Sequence, residues 1–221
     1  VEELIDIDNY IDYMIAQIYY ANTDWPGNNI KLWRSRSEGG KWRWILYDTD
    51  FGFNLSYGGQ VWHNTIDFAL EPNGPGWPNP PWSTILFREM VESARFRQMF
   101  VNRLADMMNS VYEPSYVENV IDSLAGLIAS EIPRHMANQT RSGNWGGSVS
   151  EWNNQIGVLK DFANQRPQYM QDFITQQTNN GGKFGFGAMR SVRVTVSDLN
   201  HGYVRVNRLD VDRKSWTGQY F

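Results

Sequence analysis

NTDWPGNNIKLWRSRSEGGKWRWILYDTDFGFN (22–54) is the stretch that decides how this chain is read. It opens with Asn, Asp, Pro and Gly crowded together, residues that end helices and make turns. Two short apolar runs follow, IKLWRS (30–35) and KWRWILYD (41–48), separated by Arg36, Ser37, Glu38 and the Gly39-Gly40 pair. Such runs flanking a glycine-bearing turn predict a β-hairpin. A hairpin folds the chain back on itself, so its two ends must be neighbours. Asp24 and Asn29 stand before the first strand, and Asp48 and Asp50 stand at the exit of the second. The predicted hairpin therefore gathers three carboxylates and one amide at one end.

Outward from this block, the chain reads as mostly helical. Residues 3–21 carry Leu4, Ile5, Ile7, Tyr10, Ile11, Met14, Ile15, Ile18 and Tyr19 at the three-and-four spacing of a buried helix face. Residues 55–82 are rich in Gly, Pro, Asn and Trp and are expected to form a docked surface loop, with Trp62, Trp77 and Trp82 as a possible substrate surface. Helical periodicity returns at 83–110 and at 114–138, the latter lined by Val117, Val120, Ile121, Leu124, Leu127, Ile128 and Ile132. A last helix is predicted over 150–177, interrupted by Pro167. Residues 179–190 read as a linker, and SVRVTVSD (191–198) and GYVRVNR (202–208) alternate as strands do. The expected fold class is α+β, mostly helical: a lobe over 1–178, the linker, and a β-rich segment over 191–221 that is expected to continue past Phe221.

Composition sets outer bounds. Net charge is −4 with Lys and Arg scattered singly, so the basic stripe of a nucleic-acid binder is not seen. There is no cysteine, which excludes disulfides and thiolate zinc sites. No run approaches the roughly 20 apolar residues that span a bilayer. Aromatics reach 14%, with ten Trp; they serve a core, and they also line sites for planar ligands. His63, His135 and His201 share no spacing and are given no role. Absence of Cys and the appended β unit lean toward a bacterial secreted or cell-surface protein, with a cell-envelope partner possible.

The predicted cluster suits phosphoryl transfer. One carboxylate must orient the attacking hydroxyl, while another carboxylate and an amide oxygen hold a divalent metal against the phosphates. Magnesium takes hard oxygen ligands and keeps several waters, so one or two Asp and an Asn suffice. Other readings of the same residues stay open. An Asp in a turn is first a turn former. DTDFGFN (48–54) has alternating acids but departs from a calcium-loop pattern and lacks its distal Glu. Asp24 and Asp48 beside Trp could also serve glycoside hydrolysis, and the Trp-rich loop could belong to a non-catalytic module that grips a glycan or a protein.

DWPGNN (24–29) has the Asp-x-x-x-x-Asn spacing of a protein-kinase catalytic loop, and DTDFG (48–52) resembles the turn that follows it. Taken with the helix DIDNYIDYMIAQ (6–17) and the run FREMVESARFRQMFVNRLADMM (87–108), the block resembles the spore coat protein H (CotH) kinase family over residues 1 to about 178. The resemblance implies the C-terminal lobe of a protein-kinase-like fold, ATP, Mg (or Mn), and phosphorylation of a protein Ser or Thr. It implies Asp24 at the catalytic position, Asn29 as the metal-binding amide, and Asp48 as first metal carboxylate with Asp50 as its rival. The nucleotide-clasping loop and its Lys are expected before Val1, so residues 1–221 alone are expected to transfer little phosphate.

Overall fold

The computed structural model describes residues 1–54, 58–76, 78–141, 147–176 and 182–221. Helix α1 (Ile7–Tyr19) starts where Asp6 caps it, its Oδ1 accepting from the Asn9 N–H at 3.1 Å. From Tyr13 to Tyr19 every residue is buried, so α1 is the central helix of the core rather than a surface helix with one apolar stripe. Leu4, expected on the buried face, is exposed, because the chain before Asp6 runs alongside Trp42 instead of continuing the helix.

The hairpin forms as expected, with shorter strands: β1 (Lys31–Trp33) and β2 (Arg43–Ile45), antiparallel, Leu32 opposite Trp44. It is tied to α1 by Asn9, whose side chain accepts from Trp44 N at 2.6 Å and donates to Trp44 O at 3.3 Å. The Trp-rich stretch is not structureless. It contains α2 (Thr65–Leu70), capped by Asn64 and burying Ile66, Ala69 and Leu70, and ends in a 3-10 turn over Pro81–Thr84.

Two predicted helices are broken where local chemistry offers the backbone better partners. The 83–110 helix divides into α3 (Ile85–Val91) and α4 (Ala94–Met108). Ser93 caps α4, and Arg97 Nη1 donates to the carbonyls of Val91 and Glu92 at the end of α3. The 114–138 helix divides into α5 (Pro114–Ile128) and α6 (Ile132–Arg141). Pro133 has no N–H to continue the ladder, which ends the first helix. The predicted lining of α5 is corrected as well: Val120, Leu124, Leu127 and Ile128 are exposed, and only Ile132 beyond it is buried. Conversely α7 (Val149–Thr175) runs through Pro167 without a break. A helical Pro costs about 3 kcal/mol, and burial of Phe162, Ala163, Met170, Phe173 and Ile174 on the same helix offsets it.

The segment read as linker lies partly outside the described residues, and its described part is anchored. Phe184 is wholly buried between Phe87 and Phe100, ring centroids 6.2 and 5.3 Å away. The β segment pairs β3 (Arg190–Thr195) with β6 (Ser215–Tyr220) and β4 (Val204–Val206) with β5 (Leu209–Val211), both antiparallel. It rests on α4. The buried Asp106 carboxylate accepts from Tyr220 Oη at 2.8 Å, Arg208 N at 3.0 Å and Asn207 Nδ2 at 3.3 Å. Overall the chain is α+β and mostly helical, with small antiparallel sheets.

Candidate functional site

Asp24 sits in a loop whose backbone is fixed from both sides. Beneath it, the fully buried Gln17 and Asn22 are bonded to each other at 2.8 Å, and Asn22 Oδ1 accepts from Asp24 N at 3.1 Å. From the Trp-rich stretch, buried Asn79 accepts from Gly27 N at 2.7 Å and donates to Thr23 O at 3.4 Å. Trp25, 1% exposed, is the plug that sinks the loop into the core, and its bond to Pro26 is cis. Asn29 adopts the left-handed backbone (φ 51°), which Asn tolerates.

That conformation turns the Asn29 side chain onto Asp24. Asn29 Nδ2 donates to Asp24 Oδ2 at 2.9 Å and to Asp24 O at 3.3 Å, while Asn28 Nδ2 donates to Oδ1 at 2.9 Å. An ionised carboxylate can only accept, so the amide must present its nitrogen to it. Asn29 Oδ1 is thereby left for another partner.

Asp48 and Asp50 lie across the hairpin in a turn docked on the same helix end. Phe53 N donates to Tyr20 O at 3.0 Å. Gly52 passes so close that a Cβ there would lie 2.5 Å from Tyr20 O, which leaves glycine as the residue that fits. Phe53 packs on Tyr20 and Phe162, whereas Phe51, the Phe of Asp-Phe-Gly, is half exposed. Asp48 has a left-handed backbone (φ 53°). Both carboxylates are exposed and make no hydrogen bond or ion pair with the described residues. The structure thus brings Asp24 and Asn29 into direct contact and docks the Asp48–Asp50 turn on Tyr20. Among the described residues no three His, Asp or Glu side chains form a group that could hold a metal ion.

The family model for CotH kinase proteins matches residues 1–170. The chain belongs to the CotH kinase protein family. The match takes in the hairpin, both arms of the candidate site and most of α7, and stops before the β segment. No curated protein and no solved structure matches the chain.

In kind, the side chains singled out in this CotH chain are the hard oxygen donors such a cation takes: an amide oxygen with no partner among the described residues and two solvent-facing carboxylates. Of the aromatic residues singled out in the sequence, Trp82 lines a groove of about 220 Å3 with Tyr10, Tyr13, Trp25, Ile30 and Trp44, so it borders the Asp24 loop. Trp62 is exposed elsewhere on the surface, and Trp77 lies outside the described residues. Sequence reading missed Gln17, Asn22 and Asn79. A Gln on an otherwise apolar helix face is the one signal that could have shown the network. His63 was given no role; burial and the neighbouring Arg166 cation push its imidazole below the usual histidine range, and Nε2 is buried without a hydrogen bond.

Proposed function

We propose that this CotH-family protein is an ATP-dependent phosphotransferase acting on a Ser or Thr hydroxyl of a protein, with Mg (or Mn) as cofactor. The observation that supports it best is the Asp24–Asn29 contact, in which one carboxylate is oriented by an amide whose oxygen remains available. In this reading the substrate hydroxyl donates to Asp24 and its oxygen attacks the γ-phosphorus. The bond to the β–γ bridging oxygen breaks and the proton passes to Asp24. Asn29 Oδ1 with Asp48, or with Asp50, would hold the metal, which when bound neutralises phosphate charge. The kinase-like C-terminal lobe, and a bacterial envelope or secreted location, belong to the same proposal. Exposed Trp62 and Trp82, 60% and 61% accessible, favour a second reading as a surface module that grips glycan or protein without turnover.

The test is transfer from γ-labelled ATP to a protein acceptor by the intact protein, run beside a glycan-retention assay. Metal-dependent transfer that Asp24→Asn abolishes is expected. Retention on glycan with no metal-dependent ATP use would overturn the phosphotransferase reading in favour of the second.

A further inference from the structure

Arg166, in the middle of α7, is the only fully buried cation among the described residues, and no carboxylate pairs with it there. Its guanidinium is satisfied almost entirely by backbone. Nε donates to Tyr19 O at 2.9 Å, and Nη2 donates to Ile18 O at 2.7 Å and Thr65 Oγ1 at 3.1 Å. Nη1 donates to Val61 O at 2.6 Å and His63 O at 2.8 Å. The Ile18 and Tyr19 carbonyls form one group of acceptors at the C-terminus of α1, where the carbonyl ends of the helix carry partial negative charge, which is why a cation is stable there without a carboxylate. Val61, His63 and Thr65 form the second. The second group belongs to the segment leading back from the Asp48–Asp50 turn.

Each group continues into one arm of the candidate site. Past Tyr19, α1 gives way to Asn22, whose side chain holds Asp24 N. Val61 in turn donates from its N–H to Asn54 Oδ1 at 2.7 Å, and Asn54 N donates to Gly59 O at 2.7 Å. These bonds fold the chain just past Asp50 onto the guanidinium.

We propose that Arg166 is a positioning residue: one guanidinium locks the arm carrying Asp24 to the arm carrying Asp48 and Asp50. The planar, five-donor fork can bridge two separate backbone segments at fixed spacing, whereas the point charge of Lys cannot. The proposal rests on the phosphotransferase reading for its functional consequence, but the lock itself does not.

The experiment compares the intact wild-type protein with Arg166→Lys, Thr65→Val and Phe184→Leu by hydrogen exchange and by phosphate transfer. Phe184→Leu perturbs a core side chain that packs on Phe87 of α3 and Phe100 of α4. Arg166→Lys is expected to speed exchange over both 18–29 and 52–65, and to lower kcat by about 10²-fold with KM for ATP little changed. Phe184→Leu is expected to do neither at a temperature where it is folded. Should Arg166→Lys fail to fold, Thr65→Val, which removes one acceptor, is expected to raise exchange more mildly in both segments. Exchange that rises in one segment only, or equally in Phe184→Leu, overturns the lock. Unchanged kcat in Arg166→Lys overturns the positioning role. If the wild type itself transfers no phosphate, the phosphotransferase reading fails, and exchange alone decides the lock.

Discussion

The loop around Asp24 is half-buried and held by Asn22, Asn28, Asn29 and Asn79, whereas the turn around Asp48 and Asp50 leaves both carboxylates exposed and unpartnered. Both arms hang from the same end of α1, so the difference does not come from their attachment. It comes from what each side chain meets. Asp24 is oriented before any ligand arrives, as a group that must meet a hydroxyl at one angle should be. Asp48 and Asp50 keep their hydration and rotamer freedom, which suits ligands of a cation that retains waters.

The largest effect should fall on the ordered arm. Asp24→Asn removes the proton acceptor and is expected to lower transfer by about 10²–10⁴-fold with the fold unchanged by circular dichroism. An unaffected rate would remove Asp24 from the chemistry. Next comes the exposed arm. If Asp48 is the principal ligand, Asp48→Asn should raise the metal concentration for half-maximal transfer by at least roughly 10-fold, as weakened ligand shells do. Asp50→Asn should raise it less. The reverse ranking would hand the role to Asp50, and no shift in either would separate this turn from the metal.

A smaller effect is expected from the scaffold. Asn79→Ala strands Gly27 N and Thr23 O, at about 1–3 kcal/mol for each group that water cannot reach. Thermal unfolding should then shift down by about 2–4 °C per kcal/mol, while the same change at exposed Asp50 should leave it in place. Equal melting temperatures would mean the Asp24 loop is not held as described.

The last test is alkaline. Burial raises the phenol pKa of Tyr10, Tyr13, Tyr19, Tyr112 and Tyr220, that of Tyr13 to about 12. A folded-state pKa above the unfolded value gives stability that is complete below pH 10 and is lost as pH rises through the folded value. Burial pushes Arg166 down to about 9, which acts in the opposite direction, but it is one group against five. The denaturant midpoint should therefore fall from pH 10 to 12, and a flat profile would contradict the burial of these rings.

What the sequence disclosed follows from how local each signal is. The hairpin was legible because glycine and alternating apolar runs act over a dozen residues. The hydrogen bond from Asn29 to Asp24 was not, since the spacing suggested the two side chains as separate members of a cluster and not as each other's partners. The helix breaks at Ser93 and Pro133 were hidden, since periodicity continues across both and only the caps reveal them. Pro167 misled in the other direction, because tertiary burial along α7 outweighs one lost bond. Asn79, 55 residues from Asp24 in sequence, and Arg166 act through contacts that no local pattern announces. The family resemblance drawn from the 22–54 block is the one long-range expectation that the family match bears out.

The central claim is that the oxygen of Asn29 and a carboxylate of the second arm share a cation beside Asp24. Anomalous diffraction from crystals of the intact protein grown with Mn and a non-hydrolysable ATP analogue tests it most directly. The account predicts one manganese peak about 2.0–2.2 Å from Asn29 Oδ1 and from Asp48 or Asp50, within the range of hard-oxygen coordination. A peak bound elsewhere, or bound analogue with no metal on these side chains, would contradict it.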